Sequence, residues 1–180
     1  MKNYRIVLIF ILSFLSIEHC HSQKLSDIVS LDGYSSNVLF DNAREYILAG
    51  KSKKASRSVI LDRDLNQIVS PEELLVYSTG IAKHPLGLLR YDYVIDIKNN
   101  KYRYTFDSVV YIPYKRNRYG KFVQVRGKKF VLESIINNPK FRFRKDILEY
   151  FNQFLQTEAA ELNHIMKALK AQTIRRCRKE

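Results

Sequence analysis

Apolar and polar residues alternate through LLRYDYVIDIK, pause at Asn99 and Asn100, and alternate again through KYRYTFDSVVYI. Period-two alternation over runs this long predicts two strands, Leu88 to Lys98 and Lys101 to about Ile112. Asparagine accepts positive φ at little cost, so the pair predicts a two-residue hairpin turn. That turn sets the register. Lys98 faces Lys101, Ile97 faces Tyr102, Ile95 faces Tyr104, and Tyr93 faces Phe106. The last three pairs share one face, and aromatic–β-branched pairs of this kind stabilise a sheet. The other face carries Asp96 against Arg103, Val94 against Thr105, and Asp92 against Asp107. One apolar and one polar face predict an antiparallel sheet with helices on one side only.

The rest of the pattern supplies those helices and further strands. In SSNVLFDNAREYILAGKSKK, residues Leu39, Phe40, Ala43, Tyr46 and Ile47 recur at helical spacing. Ser35 or Ser36 can cap that helix, and Gly50 can end it in a left-handed conformation. DIVSLDGY before it predicts a short strand. SVIL, the polar turn DRDLNQ and a strand between Gln67 and Ser78 follow. Pro71 makes that second strand an edge strand or a bulged one. FVQV and KFVL predict a small hairpin around Arg126 and Gly127. From Asp146 to about Gln172, residues Phe151, Leu155, Ala159, Leu162, Met166 and Leu169 step by three and four, which predicts a long helix packed on the sheet.

With these elements in place, LLRYDYVIDIKNNKYRYTFDSVVY resembles the strand–turn–strand signature of secreted proteins known as domain of unknown function 4468. Tyr93, Ile95, Ile97, Lys98, Lys101, Tyr102, Arg103, Tyr104, Thr105 and Phe106 occupy its pattern. The resemblance covers about residues 36–111. It implies a fold like that of the TATA-binding protein: α+β, a curved antiparallel sheet with helices on one face. The family places a glycine in the turn before its second strand, whereas DRDLNQIVSPEE has none. The family is itself of unknown function and supplies no catalytic residues.

Composition narrows the setting. The chain has 180 residues, 46% of them hydrophobic and 12% aromatic, which suits one domain with a sizeable core. Lys2 and Arg5 precede an apolar run, Ile6 to Ile17, that is too short to span a bilayer. Residues 1–22 therefore read as a signal peptide, cut ahead of Gln23, with export to the periplasm or the extracellular space. Lipid attachment at Cys20 is the rival reading, and Glu18 and His19 stand where that chemistry wants small residues. Residues 23–172 form the domain, and 173–180 a basic C-terminal tail. Processing leaves Cys177 as the one thiol of the mature chain, so no intrachain disulfide forms.

The net charge is +13, and much of it is local. From Pro113 to Lys145 there are eleven Lys and Arg and one acid, Glu133. Aromatic residues are interleaved. Lys115, Arg116, Arg118, Lys121, Arg126, Lys128 and Lys129 are candidate ligands for an anion. Cations with rings suit single-stranded nucleic acid. Export redirects the expectation toward an anionic envelope polymer, lipid head groups or another envelope protein, and the bland alternative is a solvated basic surface. Enzyme signatures are thin. The sequence has no phosphate-binding glycine loop, no GxSxG and no HExxH. His84 and His164 have no ligand cluster around them in sequence, so neither a metal nor another cofactor is expected. Asp92 opposite Asp107 is the one pair suited to acid–base work, as in a hydrolase, and Arg90 and Arg103 on the same face are expected to neutralise it. The reading is an exported, non-catalytic binding or structural module.

Overall fold

The structure is a computed structural model and describes residues 25–51, 59–79 and 83–177. The signal-peptide reading, with Lys2, Arg5 and Cys20, lies outside them. Seven strands and three helices follow one another as β1 (Ser26–Ser30), α1 (Ser36–Lys51), β2 (Ile60–Asp62), β3 (Gln67–Tyr77), β4 (Pro85–Lys98), β5 (Lys101–Arg116), β6 (Phe122–Gln124), β7 (Phe130–Val131), α2 (Leu132–Ile136) and α3 (Arg144–Cys177) among the described residues. All pairings are antiparallel, in the order β1-β5-β4-β3-β2. The α+β architecture with helices on one face is the expected one.

The β4–β5 hairpin has the register its sequence predicts, from Lys98 opposite Lys101 to Asp92 opposite Asp107. Asn100 takes the left-handed conformation, with φ +63°. Both turn side chains also hold the start of α1. Asn100 Oδ1 accepts from the Gly33 and Tyr34 amides at 2.9 and 3.2 Å, and Asn99 Oδ1 accepts from the Ser36 amide at 2.9 Å. The Ser36 bond occupies a donor that a helix N-terminus otherwise leaves empty, and the other two fix the chain that leads into it. The Ser35 hydroxyl accepts weakly from the Val38 amide, at 3.4 Å.

Tyr93, Ile95, Ile97, Tyr102 and Phe106 are buried under α1 and α3, with Leu39, Phe40, Ile47, Phe151 and Leu162 opposite them. Tyr104 is half-buried while Arg103 is exposed, so the apolar face is the helix-covered one. The interior also holds a polar tie. The Tyr46 hydroxyl of α1 donates to Glu158 of α3 at 2.7 Å, and the Ser70 hydroxyl of β3 donates to Glu72 at 2.7 Å. Burial first, then the Glu158 hydrogen bond and the charges of Glu158, Glu161 and Glu72, push the Tyr46 hydroxyl far above its usual range.

Several details differ from the sequence reading. The first helix does not stop at Gly50 but runs to Lys51. The last starts at Arg144 and reaches Cys177, beyond Gln172. The glycine-free turn before β3 closes all the same: Asn66, at φ +51°, supplies the left-handed residue, and the Leu65 amide donates to Asp62 Oδ1 at 2.9 Å. Pro71, by contrast, meets the expectation: among the described residues it lies just past the Val69 end of the pairing with β2, where β3 is an edge strand, and the strand's irregularity lies between Val76 and Tyr77. Most consequentially, β6 and β7 do not pair with each other. Both pair with β5, β7 at Val110–Tyr111 and β6 at Tyr114–Arg116. The expected hairpin around Arg126 and Gly127 is instead an excursion in one interrupted return strand.

Candidate functional site

β4 gives out at the far end of the sheet, where its residue Gly87 pairs with Pro113. β5 continues to Arg116 with β6 as its partner, so residues 114–124 form a two-stranded arm. An isolated two-stranded ribbon is marginal in water. This one is held at its tip and on its flank. Asn117 Oδ1 accepts from the Tyr119 and Lys121 amides at 3.0 Å each, and the Asn117 amide donates to the Lys121 carbonyl at 2.9 Å. Arg116 Nε reaches the Gly120 carbonyl at 3.1 Å, and Gly120 makes the turn at φ +76°. On the flank, the His84 ring stacks on Phe122 with centroids 5.7 Å apart. His84 is itself fixed by Ser78, whose hydroxyl lies 3.1 Å from Nδ1.

All seven predicted cations fall on this arm or its excursion, and all seven are exposed. Lys115 pairs across the ribbon with Val123, and Arg116 with Phe122. Paired residues share a face, so the two faces carry one cation each, with Arg118 and Lys121 at the tip. Arg126, Lys128 and Lys129 belong to the excursion, where Gly127 sits at φ +72°. Among the described residues none of the seven forms an ion pair; the ion pairs there are Arg63–Asp41, Arg90–Glu73 and Arg103–Asp96. Tyr119 is 72% exposed at the apex, with the Arg118 guanidinium 4.9 Å from its ring centre.

A second arginine–aromatic pair lies outside the seven candidate cations. Arg142 lies 4.7 Å from the ring centre of Phe143, which is exposed and sits at φ +62°. That conformation is unusual for a bulky residue. The signal was there in FRFRK, but its left-handed backbone has no marker in sequence.

The structure brings Asp92 and Asp107 together as register partners. The ion pairs of Arg90 and Arg103 are made with other carboxylates. Arg90 Nε bonds Glu73 at 2.6 Å, and Arg103 bonds Asp96 through Nε and Nη2 at 3.0 and 2.7 Å. Burial by itself would raise the Asp96 carboxyl; hydrogen bonds from Gln67 and Arg103, with the charges of Arg103 and Lys98, outweigh it and hold the group below the usual range. Asp92 lines an open dimple of about 170 Å³ with Arg90, Ser108, Ile112 and Lys129, and Asp107 is not part of its wall. Asp107 instead accepts from the Ser108 amide at 2.7 Å. A second dimple, of about 180 Å³, lies by Ile28, Asp96 and Arg103. Neither is a deep cleft beside two carboxylates. Among the described residues no three His, Cys, Asp or Glu side chains gather to hold a metal, and no helix is long and apolar enough to cross a membrane.

Comparison with known proteins agrees with this architecture. Residues 26–112 match the family described as domain of unknown function (DUF4468) with TBP-like fold. A TBP-like protein from Parabacteroides distasonis superposes with a TM-score of 0.65 at 16% identity, over 79% of this chain and 91% of the other. A DUF4468 family protein from Bacteroides ovatus gives 0.50 at 12% identity, over 79% and 85%. At these identities the likeness concerns the fold alone. No curated protein matches.

Proposed function

We propose, for a chain whose residues 26–112 match the DUF4468 family with TBP-like fold, an exported module that binds an anionic partner through the β5–β6 arm without catalysing a reaction. One observation carries the reading: seven cations on a rigid ribbon and its excursion, with no ion-pair partner for any of them among the described residues. A merely solubilising surface intersperses both signs. Here one sign is concentrated, and the tip hydrogen bonds hold it in a fixed shape.

Substituting Gln at Lys115, Arg118 and Lys121 tests this. These three leave the Arg116–Gly120 bond in place. Retention on heparin at low salt is expected for the wild type and a large loss for the triple variant, with unchanged thermal unfolding. Counterion release makes such binding fall with salt, by roughly 0.9 log units of affinity per log unit of salt for each contact to a duplex-like chain. Equal retention of both proteins would end the proposal. Single-stranded DNA separates nucleic acid from other polyanions. Tyr119→Ala would cost about 1–3 kcal/mol if bases stacked on the ring, and no such loss is expected.

Export is part of the same proposal and rests on Lys2, Arg5 and the apolar run from Ile6 to Ile17. The exported protein should begin at Gln23, as read by intact mass and N-terminal sequencing. A mass carrying acyl chains on Cys20 would replace this with a lipoprotein.

A further inference from the structure

We infer that the partner of the arm is the surface of an anionic lipid bilayer, into whose head-group layer Tyr119 inserts. This rests on the anion-binding reading and names its ligand. Tyr119 stands at the apex of the turn, 72% exposed, and Phe122 and Val123 follow it at 37% and 36%. Cations alone satisfy a charged polymer. A ring at the apex with cations behind it on both faces suits a boundary that is apolar below and anionic above. Tyrosine favours that depth because its body is apolar and its hydroxyl wet. Lysine and arginine stems lie along apolar material while their charged ends reach head groups.

The second observation is Arg142–Phe143, which repeats the arrangement of Arg118–Tyr119. Its loop follows α2 and packs through Phe141 on Tyr111 and Phe130, at the same end of the sheet as the arm. Phe143 is exposed and held in a conformation that bulky residues avoid. Strain at a surface ring is a pointer to function. Across Pro113 to Lys145 eleven cations meet one acid, so this end is complementary to a negative surface.

The chain contains no tryptophan, so Tyr119→Trp places a unique fluorophore at the apex. It reads the surroundings of the arm whatever the N-terminal segment does. Vesicles of phosphatidylcholine, with and without phosphatidylglycerol, are the probe. The expected result is a blue shift of the indole emission on the anionic vesicles and none on the neutral ones. Adding Gln at Lys115, Arg118 and Lys121 should weaken this binding about fivefold per cation, on the order of a hundredfold in all. Tyr119→Ser should weaken it as well, without touching the fold of an exposed turn. Heparin retention with no vesicle binding would overturn the lipid assignment and leave the anion site standing. Failure with both would remove both. Vesicle-bound protein whose indole emits as in water, or an equal shift on neutral lipid, would also overturn it.

Discussion

Phe106→Ala should remove about 3–5 kcal/mol of unfolding free energy, a large share of the roughly 5–15 kcal/mol that holds a domain together. Phe106 is 2% exposed and stands at the middle of an aromatic cluster. Its ring lies 4.7 Å from Tyr93, 5.5 Å from Tyr91, and 6.2 and 6.3 Å from Phe154 and Phe151. The last two come from α3, so this one side chain joins the central hairpin to the long helix. Truncation leaves a void bounded by rigid rings, which collapse into it poorly. Phe106→Leu, which refills part of that volume, should cost markedly less. Urea unfolding of the three proteins measures both. A loss below about 1 kcal/mol would mean that Phe106 is not a core residue, and the hairpin faces would have to be exchanged, since a one-residue slip moves every side chain across the sheet.

The same strand shows how far pattern alone carries. From Lys101 to Phe106 strict alternation and a known turn give every pair in the observed register. Beyond Phe106 the rule would send Val110 and Ile112 into the helix-covered core. The residues found there are Val109 and Tyr111. Between Asp107 and Val110 β5 spends two residues where β4 spends one, and Ser108 takes a φ of +52°. This is a bulge, and it inverts the face of everything after it. Serine carries no mark of that role, so the inversion is invisible in the sequence. The arm was hidden for a related reason. Pro113 reads as the end of a strand because it cannot donate to a ladder. Here its carbonyl still accepts from Val125 at 2.9 Å, and the strand goes on to Arg116. The cations of the site were therefore legible as a list, and their placement on one ribbon was not. In α3 the spacing runs the apolar stripe through Ala159. The inward position is Glu158, acceptable in the core because Tyr46 meets it. A buried carboxylate with a partner on another helix cannot be told from a surface one by spacing.

Gly87→Ala should be the most damaging one-carbon change in the sheet, at about 3 kcal/mol, the upper end of what overpacking usually costs. Glycine weakens a strand unless something lies where its side chain would be. Here a Cβ would meet the Ile112 carbonyl oxygen at 2.5 Å and the Tyr111 ring at 2.5 and 2.6 Å. That ring lies across the strand because its hydroxyl donates to the Leu86 carbonyl at 2.8 Å. Burial of the same hydroxyl pushes its pKa up to about 12. The methyl group must therefore displace either a paired backbone or a ring anchored at its far end. A double-mutant cycle separates the two. Tyr111→Ala removes the ring and loses its own packing. If the ring is the main obstacle, Gly87→Ala in that background should cost much less than in the wild type, an interaction energy well outside the few tenths expected of independent sites. If the carbonyl dominates, the two losses should add. In either case the single variant must be clearly destabilised by urea unfolding. A neutral Gly87→Ala would mean that Tyr111 does not cover this strand, and that the junction from which the arm departs is built differently.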